Sequence, residues 1–424
     1  MKTRPWVAGA MPLLLFAAAC SAGSAGTTKQ VLNVKLTDFK VGVSTDAPAG
    51  KPLTLRVQND GAVPHTLAID AQGTTKVTPE LAAGAATNLE VASLDAGTYK
   101  LYCTVAGHRE AGMETTLTVA EGAAEASEGS EHEATEHAAP VDADQMDRMH
   151  EQGVKAFPAK TEALGGQIMQ PKIVDGKKVF ELTTARVRWE VSPGQFVDAM
   201  AYNGQIPGPE LHVQKGDRVQ VVLHNEMDQS TAIHFHGVDV PNDMDGVPFI
   251  TQPPVRKGES FTYEFTIRDD PGTYMYHSHH NTTEQVGKGL LGAFIVDGAA
   301  QKGDVEATIV LGDGPLGFTL NGKGFPATQP VAAGLGQRVY VRFINGGQVS
   351  HPMHLHGFHF DVVARDGRSI APYTIDTLSI GPGEVYDAVF TASAPGIWAF
   401  HCHILSHAES EHGMHGMVTA LVVE

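Results

Sequence analysis

Five side chains near the C-terminus have the types and spacing to do metal chemistry together: His401, Cys402, His403, His407 and Met414, all within GIWAFHCHILSHAESEHGM. In an extended strand successive side chains face opposite ways, so Cys402 points to one side while His401 and His403 share the other. A thiolate, two imidazoles and a weak thioether make the trigonal site with axial methionine that suits electron-transfer copper. Cys402, His407 and Met414 supply three of those groups, and a second imidazole must come from elsewhere in the chain. The pair on the opposite face would hold other metal ions, joined to the thiolate through short backbone segments.

The pattern recurs twice in reduced form. Gly97-Thr98-Tyr99, Gly272-Thr273-Tyr274 and Gly396-Ile397-Trp398 begin alike, and six residues after each glycine stand Cys103, Ser278 and Cys402. Five further on stand His108, Thr283 and His407. The flanking positions are Tyr102 and Thr104 in the first, His277 and His279 in the second, His401 and His403 in the third. Upstream, AIHFHG carries His234 and His236, PMHLHG carries His354 and His356, and aligning the two sets Thr231 opposite His351. The first segment therefore keeps the thiolate site alone, with Cys103, His108 and Met113 at even intervals and His65 in VPHTLAI to complete it. The middle segment keeps only the flanking imidazoles, and the last keeps both. Four His-x-His pairs give eight imidazoles that can converge between the second and third segments, too many for one ion. They suit three copper ions in a shared cavity, because neutral imidazole binds copper and adds no charge to bury.

Such groups need a scaffold that lays strands side by side. The chain has 424 residues, room for about three domains. Its charged fraction is 18%, glycine and proline are plentiful at 46 and 24, and long helical periodicity is scarce, which reads as short strands joined by turns in all-β sandwiches. Residues 28–120, 166–300 and 301–424 each read as one sandwich, the first running from VLNVKLTDFKV to ETTLTV. Residues 121–165, opening with EGAAEASEGSEHEATEHAAP, are too poor in large apolar groups to offset their ordering entropy and read as an acidic disordered linker, with His132, His137, Met146, Met149 and His150 incidental to it. A formal charge of -18 argues against nucleic acid or an anionic membrane surface as partner. Residues 1–20 carry Lys2 and Arg4 before an apolar run that ends at Cys20, the layout of a secretory signal or of a lipoprotein signal with Cys20 lipidated. Either one places the protein outside the cytoplasm, in a periplasm or at the cell surface. Cys103 and Cys402 lie in separate segments with like surroundings and read as metal thiolates rather than as a disulfide.

HFHG, HSH, HPMHLH and HCHILSH resemble the four copper motifs of the multicopper oxidases, over residues 166–424. Two such domains with type 1 copper in the later one resemble the two-domain laccase-like group, and residues 28–120 resemble the plastocyanin-like cupredoxins. The resemblance implies three cupredoxin-like Greek-key β-sandwich domains in series. It implies type 1 copper at His351, Cys402, His407 and Met414, and another at His65, Cys103, His108 and Met113. Type 2 copper would fall to His234 and His354, and the type 3 pair to His236, His277, His279, His356, His401 and His403, for about five copper ions per chain. It further implies donors meeting an exposed edge of His407, dioxygen reduced to water, and a buried Asp245 in MDGVP delivering protons. Homotrimers would follow, with each three-copper cluster between neighbouring chains.

Two positions depart from the family's pattern. His407 and Met414 are further apart than His108 and Met113, with Glu411 and His412 read as the insertion, Met417 as a strand residue and His412 as the other alternative to Met414, and the acid that some relatives place after this histidine is Ala408 here, leaving Glu409 as a substitute. The donor stays open among phenols, cuprous or other metal ions and a redox protein, the last of which would give the N-terminal cupredoxin a role as electron carrier. Two other classes compete. A copper nitrite reductase is opposed by Ser278 and the eight imidazoles, and a non-enzymatic copper-binding or electron-transfer protein would use the linker and the tail HAESEHGMHGM.

Overall fold

Alternation in QVLNVKLT turns Leu32, Val34 and Leu36 inward and their neighbours outward, as a strand with one wet face requires. The computed structural model describes residues 30–424 except 38–39, 44–46, 62–63, 72–73, 83, 106–107, 110–112, 121–142, 299–301 and 411–412. The signal-like segment with Cys20, and the acidic stretch with His132 and His137, lie outside the described residues. Two compact units make up the chain, in the main the N-terminal sandwich and the remainder.

In the N-terminal sandwich one sheet runs Lys40–Val43, Gln30–Thr37, Leu53–Asn59, Ala86–Val91. The other runs Ala47–Pro48, Glu114–Ala120, Gly97–Tyr102, Ala68–Ala71, Thr74–Val77. Leu36, Leu55, Val57, Ile69, Leu101 and Leu117 are wholly buried there.

The remainder holds two more sandwiches, so the all-β expectation stands. In the middle one, Gly272–Ser278 pairs with Ile233–His236 on one side and Leu291–Val296 on the other. In the C-terminal one, Gly396–Cys402 pairs with His351–Leu355 and with Val418–Val423. These strands occupy like places in their sheets, so the repeat seen in the sequence is a repeat of position. The two sandwiches are fastened to each other. Met275, Leu291 and Ile295 share a core with Val310, Ile344 and Val385. The Trp189 indole N–H donates to Gly322 O (2.7 Å), and the Arg342 guanidinium donates to the Thr273 hydroxyl (3.0 Å).

The expected disordered linker is corrected over its second half. Ala143–Ala156 is a helix, and Met146, Met149, His150 and Gly153 lie on its less exposed face at helical spacing. That face packs on the strand Gly413–Met414. Gly413 has φ +107°, and a Cβ there would stand 3.4 Å from the His150 Cα, so the absent side chain admits the helix. Phe157 then stacks on Phe325 (5.4 Å between centroids), and the Ala159 N–H donates to Pro326 O (2.7 Å). Average composition misses this because a single face does the docking.

Candidate metal centres

Met353 pairs with Cys402 and His354 with His401 across two antiparallel strands. Alternation sends the Cys402 side chain into the core, wholly buried, while His401 is half-buried and His403 exposed on the other face. His351 comes from the paired strand and His407 from the single 3-10 turn Leu405–His407. Cys402 Sγ lies 3.8 Å from His351 Nδ1 and 3.7 Å from His407 Nδ1. Donors arranged trigonally around a first-row metal, at bond lengths of about 2.0–2.3 Å, stand roughly 3.5–3.8 Å apart, so this triangle fits such an ion. His351 Nε2–H donates to the Asp313 carboxylate (3.0 Å), both side chains being wholly buried, which leaves the Nδ1 lone pair facing the sulfur. Burial pushes the Cys402 thiol up to about 11, so metal uptake must displace its proton.

In the N-terminal sandwich, His65, Cys103 and His108 bring one donor atom each within 4.8 Å of one another, with Cys103 Sγ 3.6 Å from His108 Nδ1. There the Cys103 N–H donates to Met113 O (3.0 Å) and the Met113 N–H to His108 O (2.9 Å). The same two bonds recur at the other thiolate, from Cys402 N–H to Met417 O (3.0 Å) and from Met417 N–H to His407 O (2.8 Å). Met113 and Met417 are both wholly buried, whereas Met414 is 39% exposed. Met417 therefore stands where Met113 stands in the N-terminal sandwich, and Met414, expected there, does not. The extra residues after His407 form a small hairpin, Glu409–Ser410 against Gly413–Met414, which carries Met414 away. Glu409 sits on that hairpin, exposed and 3.5 Å from His150, rather than beside the imidazoles of the other face.

The middle sandwich has a buried hydrogen-bonded trio where the others have a thiolate site. The Thr231 and Ser278 hydroxyls lie 3.2 Å apart, and both donate to Gln285 Oε1. Counting along the chain matches Thr283 to His407, but the helix Thr282–Gly287 brings Gln285 there instead.

The eight other imidazoles form two sets. His234, His236, His277 and His279 touch ring to ring at 5.4–6.2 Å between centroids. His354, His356, His401 and His403 do so at 5.0–5.8 Å. Among the described residues no ring contact joins one set to the other, and His236 instead faces Gly383 of the C-terminal sandwich. The expected convergence of all eight therefore does not occur within one chain. Ring orientation is nonetheless set for metal. Nδ1–H donates to a backbone carbonyl in His234 (Asp245 O, 2.8 Å), His277 (Ser278 O, 2.8 Å) and His401 (Cys402 O, 2.9 Å), which turns each Nε2 lone pair away from the backbone, that of His401 toward His356 Nε2 at 3.1 Å. Burial first, and then neighbouring rings, pulls His236, His277 and His401 below the ordinary 6.5, His277 to about 4. These three rings are thus held in the neutral form that can ligate a metal.

Two other expectations change. Asp245, read as buried, is 34% exposed at its side chain, with Oδ1 3.3 Å from His234 Nδ1. Asp376 holds the matching place beside His354, Oδ2 to Nδ1 at 3.2 Å, and no spacing in the sequence pointed to it. His407 presents no exposed edge: it is 3% exposed, with the half-buried Phe318 stacked on it at 3.7 Å between centroids and 17° between planes. Gly416 lets the chain pass against this turn, since a Cβ there would collide with the His407 backbone oxygen and stand 3.2 Å from the Phe318 Cβ.

Family models described as multicopper oxidase match residues 183–301 and 298–424, and one described as a cupredoxin-like domain matches residues 9–119. A solved multicopper oxidase called mgLAC is 33% identical, with a TM-score of 0.55 over 58% of this chain and 86% of its own. The chain belongs to the multicopper oxidases. A blue copper oxidase from Nitrosomonas europaea is similar to this multicopper oxidase at 30% identity and a TM-score of 0.54, over 58% of this chain and 85% of its own. The iron transport multicopper oxidase of Candida albicans is 33% identical over 45% of this chain and 35% of its own. This multicopper oxidase spans less than half the length of the first curated relatives it matches. The family's chemistry uses copper, which agrees with the thiolate triangles and neutral imidazoles described above.

Replacing Met417 by Leu should raise the reduction potential of the C-terminal thiolate site by more than about 59 mV, a tenfold change for one electron, whereas Met414→Leu should leave it in place; redox titration of the visible band distinguishes them. His277 binds a proton near 6.5 when unfolded and near 4 when folded, so between those values the unfolded chain holds more protons and stability rises with pH. Denaturant titration of the metal-free protein should therefore lose about 3 kcal/mol from this group as pH falls through that window, and His277→Asn should remove the loss.

Proposed function

We propose that this chain is an exported oxidase that couples one-electron oxidation of a donor to four-electron reduction of dioxygen to water. The observation that carries the reading is one strand with Cys402 in a buried thiolate triangle on one face and His401 and His403 among clustered imidazoles on the other. Copper would supply the one-electron steps and the binding of dioxygen; His351, Cys402, His407 and Met417, His65, Cys103, His108 and Met113, and the two imidazole sets would hold it, about five ions per chain. The chain's own part is to fix positions. Cys402 is joined to His401 by the backbone and also by the bond from His401 Nδ1–H to Cys402 O, which sets a short constant separation between the thiolate and the imidazoles. Asp245, half-exposed beside His234, can pass a proton between solvent and its carboxylate Oδ1, and Asp376 can do the same beside His354. Phe318 keeps donors off the His407 ring, which favours donors that need only outer-sphere contact.

Separate sets of four favour assembly in which each chain lends one set to a neighbour and the other set to another. The family resemblance supports a homotrimer. Lys2, Arg4 and the apolar run before Cys20 support export with a lipid anchor at Cys20. Among the described residues no helix is long and apolar enough to cross a membrane. The N-terminal cupredoxin, with its own thiolate triangle, would carry electrons from a protein donor to the oxidase sandwiches. A nitrite reductase would need a thiolate in the middle sandwich, where Thr231, Ser278 and Gln285 stand.

Oxygen uptake by the copper-loaded protein, over phenols, cuprous ion, manganous ion and a reduced redox protein, tests the reading. Cys402→Ser should lower turnover at least about 100-fold with every donor, while Cys103→Ser should stay within about twofold for small donors and fall only for the protein donor. No uptake by the wild type with any of them would sink the oxidase reading. Phe318→Ala should raise kcat/KM for phenols about tenfold and leave that for hexacyanoferrate(II) nearly unchanged.

A further inference from the structure

The helix Ala143–Ala156 and the hairpin of Glu409–Ser410 with Gly413–Met414 are far apart in the chain and meet beside the C-terminal thiolate site. What the helix turns toward the hairpin is chemically particular. Its less exposed face is Met146, Met149, His150 and Gly153, while its one branched aliphatic side chain, Val154, stays 53% exposed. A helix docked by apolar contact alone would bury that valine first. Positions 146, 149 and 150 share one side because they stand three and four apart. Gly153 lies on Phe325, where a Cβ would stand 3.4 Å from the ring, and Phe325 packs with Ala408, the residue after His407. From the hairpin, Glu409 Oε1 reaches to 3.5 Å from His150 Nδ1. Met414 is directly opposite Glu409 in the register, so the two side chains project to one side. The other ring nitrogen, His150 Nε2, is buried and has no hydrogen-bond partner. A buried imidazole nitrogen without a partner, on a face with two thioethers and with a third across from it, is left unexplained by hydrogen bonding and is explained by a soft metal ion.

We propose that Met146, Met149, His150 and Met414 bind cuprous ion between helix and hairpin, as a substrate. The inference rests on the oxidase reading above and names its donor class. Thioethers with an imidazole select the soft monovalent ion over hard divalent cations. Each cuprous ion gives up one electron, which passes to the thiolate site at His407, and leaves as cupric ion. Four cuprous ions and four protons thus turn one dioxygen into two waters. The cupric product prefers oxygen and nitrogen to thioether, so oxidation itself loosens the ion from the methionines. Glu409, exposed at the same spot, offers it an oxygen on the way to solvent. The extra residues after His407 thereby gain a use, and so do the methionines and histidine that composition alone assigns to a linker.

The test uses the full copper-loaded chain as wild type, Met146→Leu/Met149→Leu and Met414→Leu, with silver(I) as a soft monovalent probe that takes no part in redox steps. Leucine keeps the volume and the helix, so docking persists while the sulfur is lost. Equilibrium dialysis with elemental analysis should find about one silver ion per wild-type chain, with the resident copper undisturbed. The double variant should bind it at least about a hundredfold more weakly, and Met414→Leu about tenfold more weakly. In oxygen uptake with cuprous ion supplied as its acetonitrile complex, the double variant should show a KM raised at least about tenfold. Its turnover of hexacyanoferrate(II) and its visible thiolate–copper band should match the wild type, which certifies the fold. No silver bound by the wild type, or equal binding by the double variant, overturns the site. Silver binding lost with an unchanged KM for cuprous ion overturns its role as the donor site. A wild type that binds silver through these methionines and takes up no oxygen with any donor overturns the oxidase reading and supports the soft-ion site.

Discussion

Antiparallel pairing of Met353 with Cys402, and of His354 with His401, is the constraint on which the rest of the site depends. Strand geometry makes adjacent side chains face opposite ways, so fixing this register sends a thiolate into the core and imidazoles to the surface in one step. A slip of one residue would exchange the two faces and destroy both sets of ligands at once. The register is secured from the core side, where Met353, Leu355, Phe400 and Cys402 are all essentially buried. Apolar packing therefore determines where the metal ligands lie.

The middle sandwich keeps the same register, Ile233 opposite Ser278 and His234 opposite His277, without a thiolate site. Its interior is not simply emptied. Thr231, Ser278 and Gln285 satisfy one another in a space with no access to water, and a lone polar group there would cost about 1–3 kcal/mol. The outer imidazoles persist because nothing on the outer face depends on sulfur within.

What was legible in the sequence was what strand alternation and short loops determine: the His-x-His pairs, both cysteines, and the histidines five residues beyond them. Met417 was lost by counting from His407, since the chain makes a hairpin before returning to the core. Counting back from the closing strand would have found it, because Gly-Met directly precedes ETTLTV in one sandwich and VTALVV in the other. Asp313, Asp376 and Phe318 reach their histidines from distant strands and loops, and spacing along the chain carries no trace of such contacts. The helix Ala143–Ala156 was hidden for a different reason: polar residues outnumber large apolar ones in its average while one narrow face docks.

The division of eight imidazoles into two sets of four has a genetic consequence under the assembly proposed. A chain damaged only in the set around His277 and a chain damaged only in the set around His403 would each be inert alone. Expressed in one cell, they could form mixed rings in which one intact set meets another, so two null alleles of a single gene would complement each other.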